Sequence, residues 1–117
     1  MAKYLVLIYG DEQRWANRTD QEWEVNHDGH RKFQEAAGSG VLGGHQLENS
    51  ATATSLRAGS GSPTITDGPF LETKEALGGF YVVEETDLDE VIRWSSLLRE
   101  TAEDHSGVEV RPIVERS

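Results

Sequence analysis

Cysteine is absent from the 117 residues, which excludes disulfides, thiolate catalysis and cysteine-ligated metal. Positive charge is scarce: 11 Lys and Arg stand against 21 Asp and Glu, giving a formal net charge of −10. Such a surface repels phosphate backbones and anionic lipid headgroups, so neither nucleic acid nor membrane is expected as a partner. Long apolar runs are missing as well. The strand-like run Tyr4 to Tyr9 is too short for a signal peptide's apolar region, and nothing approaches the roughly 20 residues that span a bilayer. A cytoplasmic protein is the expectation. What is present, 36% hydrophobic and 27% charged residues, is ordinary for a globular chain, and the length suits a single domain over residues 1–117.

Tyr4-Leu5-Val6-Leu7-Ile8-Tyr9 is apolar without alternation, the pattern of a strand covered on both faces. Asp11 to Arg18 is polar and reads as a loop, with Trp15 its one large apolar residue. Thr19 with Glu22 forms a capping-box pattern, which predicts a helix from about Asp20 to Ala37, stopped by Gly38-Ser39-Gly40. Helical spacing puts Trp23, His27, His30, Phe33 and Ala37 on one face, and Gly29 weakens the helix slightly. Strands follow at 41–47 and 51–57, then a Gly/Ser-rich tip at 58–62 and a return strand at 63–66. Asp67-Gly68-Pro69-Phe70 is a turn signal, and Leu71 to Leu77 a charged connection. Phe80 to Glu84 is a second apolar strand. Asp87 caps a second helix, whose predicted buried stripe is Leu88, Val91, Ile92, Ser95, Leu98 and Ala102. A last strand covers 108–114, with Pro112 near its end.

The order β-α-β-β-(β)-β-α-β fits an α+β, ferredoxin-like sheet with two helices on one face. Two helices leave the second apolar face of that sheet bare. A second copy packed sheet against sheet would cover it, so a homodimer through the sheet faces is expected.

Asp67-Gly68-Pro69-Phe70, Glu72-Thr73-Lys74-Glu75 and Leu77-Gly78-Gly79-Phe80-Tyr81 together form a long signature. It resembles the DGPF type of the YCII-related proteins, as do the opening strand Tyr4 to Gly10, His30 in the first helix, Ala51-Thr52-Ala53-Thr54 and the closing Glu109-Val110-Arg111-Pro112. The resemblance implies a dimeric α/β barrel. It also implies that a helix histidine and an aspartate near the turn, here His30 and Asp67, are regarded as a catalytic pair. One relative dehalogenates a chlorinated muconolactone by proton abstraction, and many members are encoded near extracytoplasmic-function sigma factors.

His30 lies on the helix face turned to the sheet, so it is either a hydrogen-bonded core histidine or a pocket base. Asp67 either orients that imidazole or caps its own turn. Glu72 and Lys74, which recur in the family pattern, are pocket candidates that could equally form a solvated face. Arg111 could bind a substrate carboxylate bidentately or pair at a barrel end. Tyr9 and Tyr81 could offer hydroxyl groups to a ligand or simply pack. A metal held by His27, His30 and Asp67 is the weaker idea, because no HExxH-like pattern appears, and the Gly-rich tip lacks a phosphate loop's lysine. No cofactor or metal is expected. The reading is a cofactor-independent enzyme using His/Asp acid–base chemistry on a small, carboxylate-like organic molecule. The alternative is a non-catalytic ligand-binding or regulatory accessory domain linked to a sigma-factor pathway.

Overall fold

A strand that is apolar on both sides belongs in the middle of a sheet, and the computed structural model, which describes residues 2–116, puts it there. In chain order the elements are β1 (Ala2–Gly10), α1 (Glu12–Ala16), α2 (Asp20–Ala37), β2 (Val41–Gln46), β3 (Thr54–Arg57), β4 (Thr64–Asp67), β5 (Ala76–Glu85), α3 (Leu88–Ser95) and β6 (Ser106–Pro112). Single 3₁₀ turns lie at Gly38–Gly40, Ser50–Thr52 and Arg99–Ala102. β1 pairs antiparallel with β5 and β6, and β2 completes a four-stranded sheet in the order β2-β5-β1-β6. This is the ferredoxin-like α+β arrangement. Tyr4, Val6, Ile8 and Val83 share one core with Phe33 of α2 and with Val91 and Trp94 of α3, so both helices cover the same face.

The capping box of α2 forms as the sequence implies: Glu22 N–H donates to Thr19 Oγ1 at 3.1 Å and Thr19 N–H to Glu22 Oε1 at 3.2 Å. The buried face is shifted, however. Asn26, Gly29, Phe33 and Ala37 are buried and His30 is half-buried, while His27 stands exposed. Gly29 explains the shift. A Cβ there would sit 2.8 Å from the Leu97 carbonyl oxygen, so glycine marks where α2 touches the backbone beyond α3.

α3 is shorter than expected and its buried stripe is partly shifted. It ends at Ser95, and of the expected stripe Val91, Ser95 and Leu98 are buried while Leu88 and Ile92 are exposed and Trp94 turns inward in their place. Asp11 to Arg18 contains the helix α1, capped by the Asp11 carboxylate on Gln13 N–H, rather than a loop. Its Trp15 ring fills the space above Gly10 and Gly78, where a Cβ on either glycine would collide with it, and the indole N–H donates to Ser106 Oγ at 2.8 Å. Ser50–Thr52 is a 3₁₀ turn, so the strand expected over 51–57 begins only at Thr54, and β6 ends at Pro112.

β3 and β4 form a separate two-stranded arm. Gly68, at φ +109°, makes the turn that leaves it, and Phe70 folds back so that the Arg57 guanidinium lies 3.8 Å from its ring centroid. Leu56 and Ile65, paired across the arm, remain 56% and 68% exposed. The radius of gyration is 16.1 Å, against ~13 Å for a compact chain of this length. The arm therefore projects from the core instead of packing on it.

The two helix registers make different demands on substitution. Leu98→Ala, at 1% exposure in the core, should cost about 2–5 kcal/mol in urea unfolding, and Ile92→Ala, at 48% exposure, less than about 1 kcal/mol. Equal losses would restore the face expected from the sequence.

Candidate functional site

A gap lies between α2, α1 and the strands β2 and β5. The gap is a cavity of about 410 Å³, walled by Trp15, Trp23 and His27 on the helix side and by Gly44, Gly78 and Tyr81 on the sheet side. At Gly44, Gly78 and Gly79 the floor carries no side chain. At Gly44 a Cβ would meet the Phe80 carbonyl oxygen at 2.6 Å, so the backbone itself requires glycine there.

His30 stands at one end of this cavity, its side chain 22% exposed. Its Nε2 lies 3.1 Å from both carboxylate oxygens of Glu100, and its Nδ1 lies 2.6 Å from the Tyr81 hydroxyl. Asn26, one helical turn before His30, donates its amide N–H to Glu100 Oε2 at 2.7 Å. Glu100 comes from the 3₁₀ turn after α3 and is buried. Burial pushes its carboxyl up, but hydrogen bonding and charge from His30, with the Asn26 amide, outweigh that and hold it below the usual carboxylate range. Glu100 is thus ionised at neutral pH and can only accept hydrogen bonds. Burial, together with the Glu100 charge, raises the Tyr81 phenol above its ordinary value, against a smaller opposite effect from Gln34.

Two tryptophans and a second ion pair shape the other wall. Arg18 Nη2 donates to Glu103 Oε1 at 2.6 Å, with both side chains nearly inaccessible. The Arg18 guanidinium carbon lies 4.7 Å from the Trp23 ring centroid and 5.7 Å from that of Trp15. Glu12 reaches across to Ser50, accepting from its backbone N–H at 2.8 Å and from its hydroxyl.

Of the residues expected to act in catalysis or substrate binding, His30 and Tyr81 meet in the cavity, and the others do not join them. Asp67 ends β4 on the exposed arm and lies outside the cavity lining, so the carboxylate on His30 is Glu100 instead. Glu72 and Lys74 are exposed in the connection before β5. Arg111 is exposed on β6, where Nε donates to Glu109 Oε2 at 2.6 Å. Tyr9 sits half-buried on β1 and outside the lining. His27 does line the cavity, its ring 5.7 Å from that of Trp23, but no group of three metal-ligating side chains occurs among the described residues. Asn26 and Glu100 went unnoticed in the sequence. The spacing of Asn26 to His30, four residues on one helix face, was a usable sign of the first, whereas Glu100 sits in a polar stretch with nothing to distinguish it.

The chain belongs to the YCII-related domain family, whose profile matches residues 2–117. It is similar to an uncharacterised protein of Rhizobium meliloti (strain 1021), 33% identical over 114 residues that cover 94% of this chain and 90% of that protein. Among the described residues no helix is long and apolar enough to cross a membrane.

Because folding lowers the Glu100 carboxyl below its ordinary 4.5, the ionised form adds stability that is present above that value and lost as pH falls through the folded-state value. Glu100→Gln should remove about 1–3 kcal/mol at neutral pH and flatten the acid limb of the stability profile. Urea unfolding from pH 7 down to pH 3 checks both, and an unchanged acid limb would separate Glu100 from acid sensitivity.

Proposed function

We propose that the protein is a cytoplasmic, cofactor-independent enzyme that moves a proton on a small organic molecule, with His30 as the base and Glu100 as the carboxylate that orients it. The observation that carries this reading is the bidentate approach of Glu100 to one nitrogen of an imidazole that borders a 410 Å³ cavity. A carboxylate on the far nitrogen fixes the tautomer and supports the charge that the ring gains when it takes a proton. The role expected of Asp67 thus passes to Glu100 in each protomer.

The working form in this reading is a homodimer. Leu5 and Leu7 of β1 alternate with the core residues and so face away from the helices, beside their partners Val82 and Phe80. Leu7 is already buried, whereas Leu5, Phe80 and Val82 are half-buried; a second copy would cover these, and the bare apolar side chains of the arm suit the same purpose. The anion-binding roles considered for Arg111 and Lys74 have no support at the cavity of their own protomer, where the charged lining groups are Glu12, Arg18 and Glu100.

One observation favours the second reading, a domain that binds a metabolite, in a sigma-factor pathway or another, without changing it. Both nitrogens of His30 are already bonded within the protein. A metabolite-extract screen for thermal stabilisation, followed by assays for consumption, separates the two. Turnover should fall at least about a hundredfold in His30→Ala, while light scattering shows the same dimer for both proteins. Retained turnover removes His30 from the mechanism, and a monomer at micromolar concentration removes the dimer.

A further inference from the structure

His30 has two ring nitrogens and neither is free. Glu100, an ionised carboxylate, accepts only, so Nε2 carries the proton that lies between them. In the neutral ring Nδ1 then has only a lone pair, and the Tyr81 hydroxyl donates to it at 2.6 Å. An imidazole held in this way offers a ligand no atom to bond. The Tyr81 oxygen is different. Its proton is engaged, and Gln34 Nε2 approaches one lone pair at 3.4 Å, a long contact, which leaves acceptor capacity at an oxygen on the cavity wall.

We propose that Tyr81 Oη is the atom that meets the substrate, that His30 acts through it, and that the reacting end of the substrate is an uncharged hydroxyl or enol. This deepens the acid–base reading and rests on it for the chemistry. The step balances as a two-proton relay. The substrate O–H bond breaks as its proton passes to Tyr81 Oη, while the phenolic proton passes to His30 Nδ1. The oxygen of the substrate keeps the electron pair, and the imidazolium that results lies against Glu100. In the reverse direction His30 returns its proton to Tyr81 and Tyr81 donates to the substrate. The phenol stays neutral at both ends of the step.

The preference for an uncharged ligand follows from the charges along the lining. Glu12 and Glu100 carry negative charge there, and the Arg side chain of the lining, Arg18, is 3% exposed and paired with Glu103 through Nη2, its buried Nε having no partner. An anionic ligand would meet two carboxylates and a guanidinium already held in an ion pair. The aromatic walls and the glycine floor suit a flat ring, so phenol is the probe, with benzoate as its charged counterpart.

The test uses the full chain with tyrosine labelled at Cζ, the Tyr81 signal being identified from Tyr81→Phe. Phenol should shift the Tyr81 Cζ resonance and bind about fivefold more weakly to Tyr81→Phe, the loss of one hydrogen bond. The shift at Tyr81 should persist in His30→Gln, and benzoate should bind more weakly than phenol. Phenol binding that is as tight in Tyr81→Phe, a Tyr81 shift that vanishes in His30→Gln, tighter binding of benzoate, or no binding of phenol at all would each overturn the proposal. Failure to find turnover sinks catalysis but leaves these binding readouts standing, so the two claims fail separately.

Discussion

A carboxylate taken out of water must find hydrogen bonds where it is put, and Glu100 is the side chain on which that constraint falls most heavily. It is 4% exposed, and leaving it unpaired would cost several kcal/mol. Its partners come from a different element: the amide of Asn26 and the imidazole of His30, one turn apart on α2. The requirement therefore fixes the rotation of α2 about its own axis. It turns Asn26, Gly29 and Phe33 inward and leaves His27 out, and it fastens the helix to the segment beyond α3. The same bonds set the imidazole at the cavity and bring it against Tyr81. Local stability and the geometry of the site are one interaction.

Much of the architecture was legible in the chain because it depends on local chemistry. The capping box at Thr19 and Glu22, the two continuous apolar strands and the glycine stops each act within a few residues, and the order of elements then admits few sheets. The face of α3 was less legible. Leu88 and Ile92 fit the helical period as well as Trp94 does, and only the position of β1 and β6 decides which side is inward. At the site, His30 and Tyr81 could be named because each is a chemically capable side chain on an element with a clear pattern. Glu100 could not, since its importance comes from where a 3₁₀ turn sets it in space. Asp67 is the opposite case: a conspicuous motif drew chemistry to a residue outside the cavity lining, at a turn whose visible work is to let the arm depart, with glycine at a positive φ and Phe70 beneath Arg57.

The two faces of the sheet divide the labour. The helix-covered face holds the core and, at its wet end, the cavity. The other carries a row of apolar side chains that the helices do not reach, and the arm extends well past the compact outline of the rest. The arm contributes no side chain to the cavity lining, and the tryptophan pair that encloses the lining draws its support from Arg18, Glu103 and Ser106 instead.

Gly29 has a consequence beyond packing. Without a Cβ there, the helix packs against the Leu97 carbonyl oxygen, which an added carbon would meet at 2.8 Å, and Glu100 is only three residues past that carbonyl. The hydrogen-bonded span between carboxylate and imidazole is thus gauged by an empty position, a spacer of zero thickness. One added carbon at a site with no functional group of its own would push that loop outward, and with it the carboxylate held against His30.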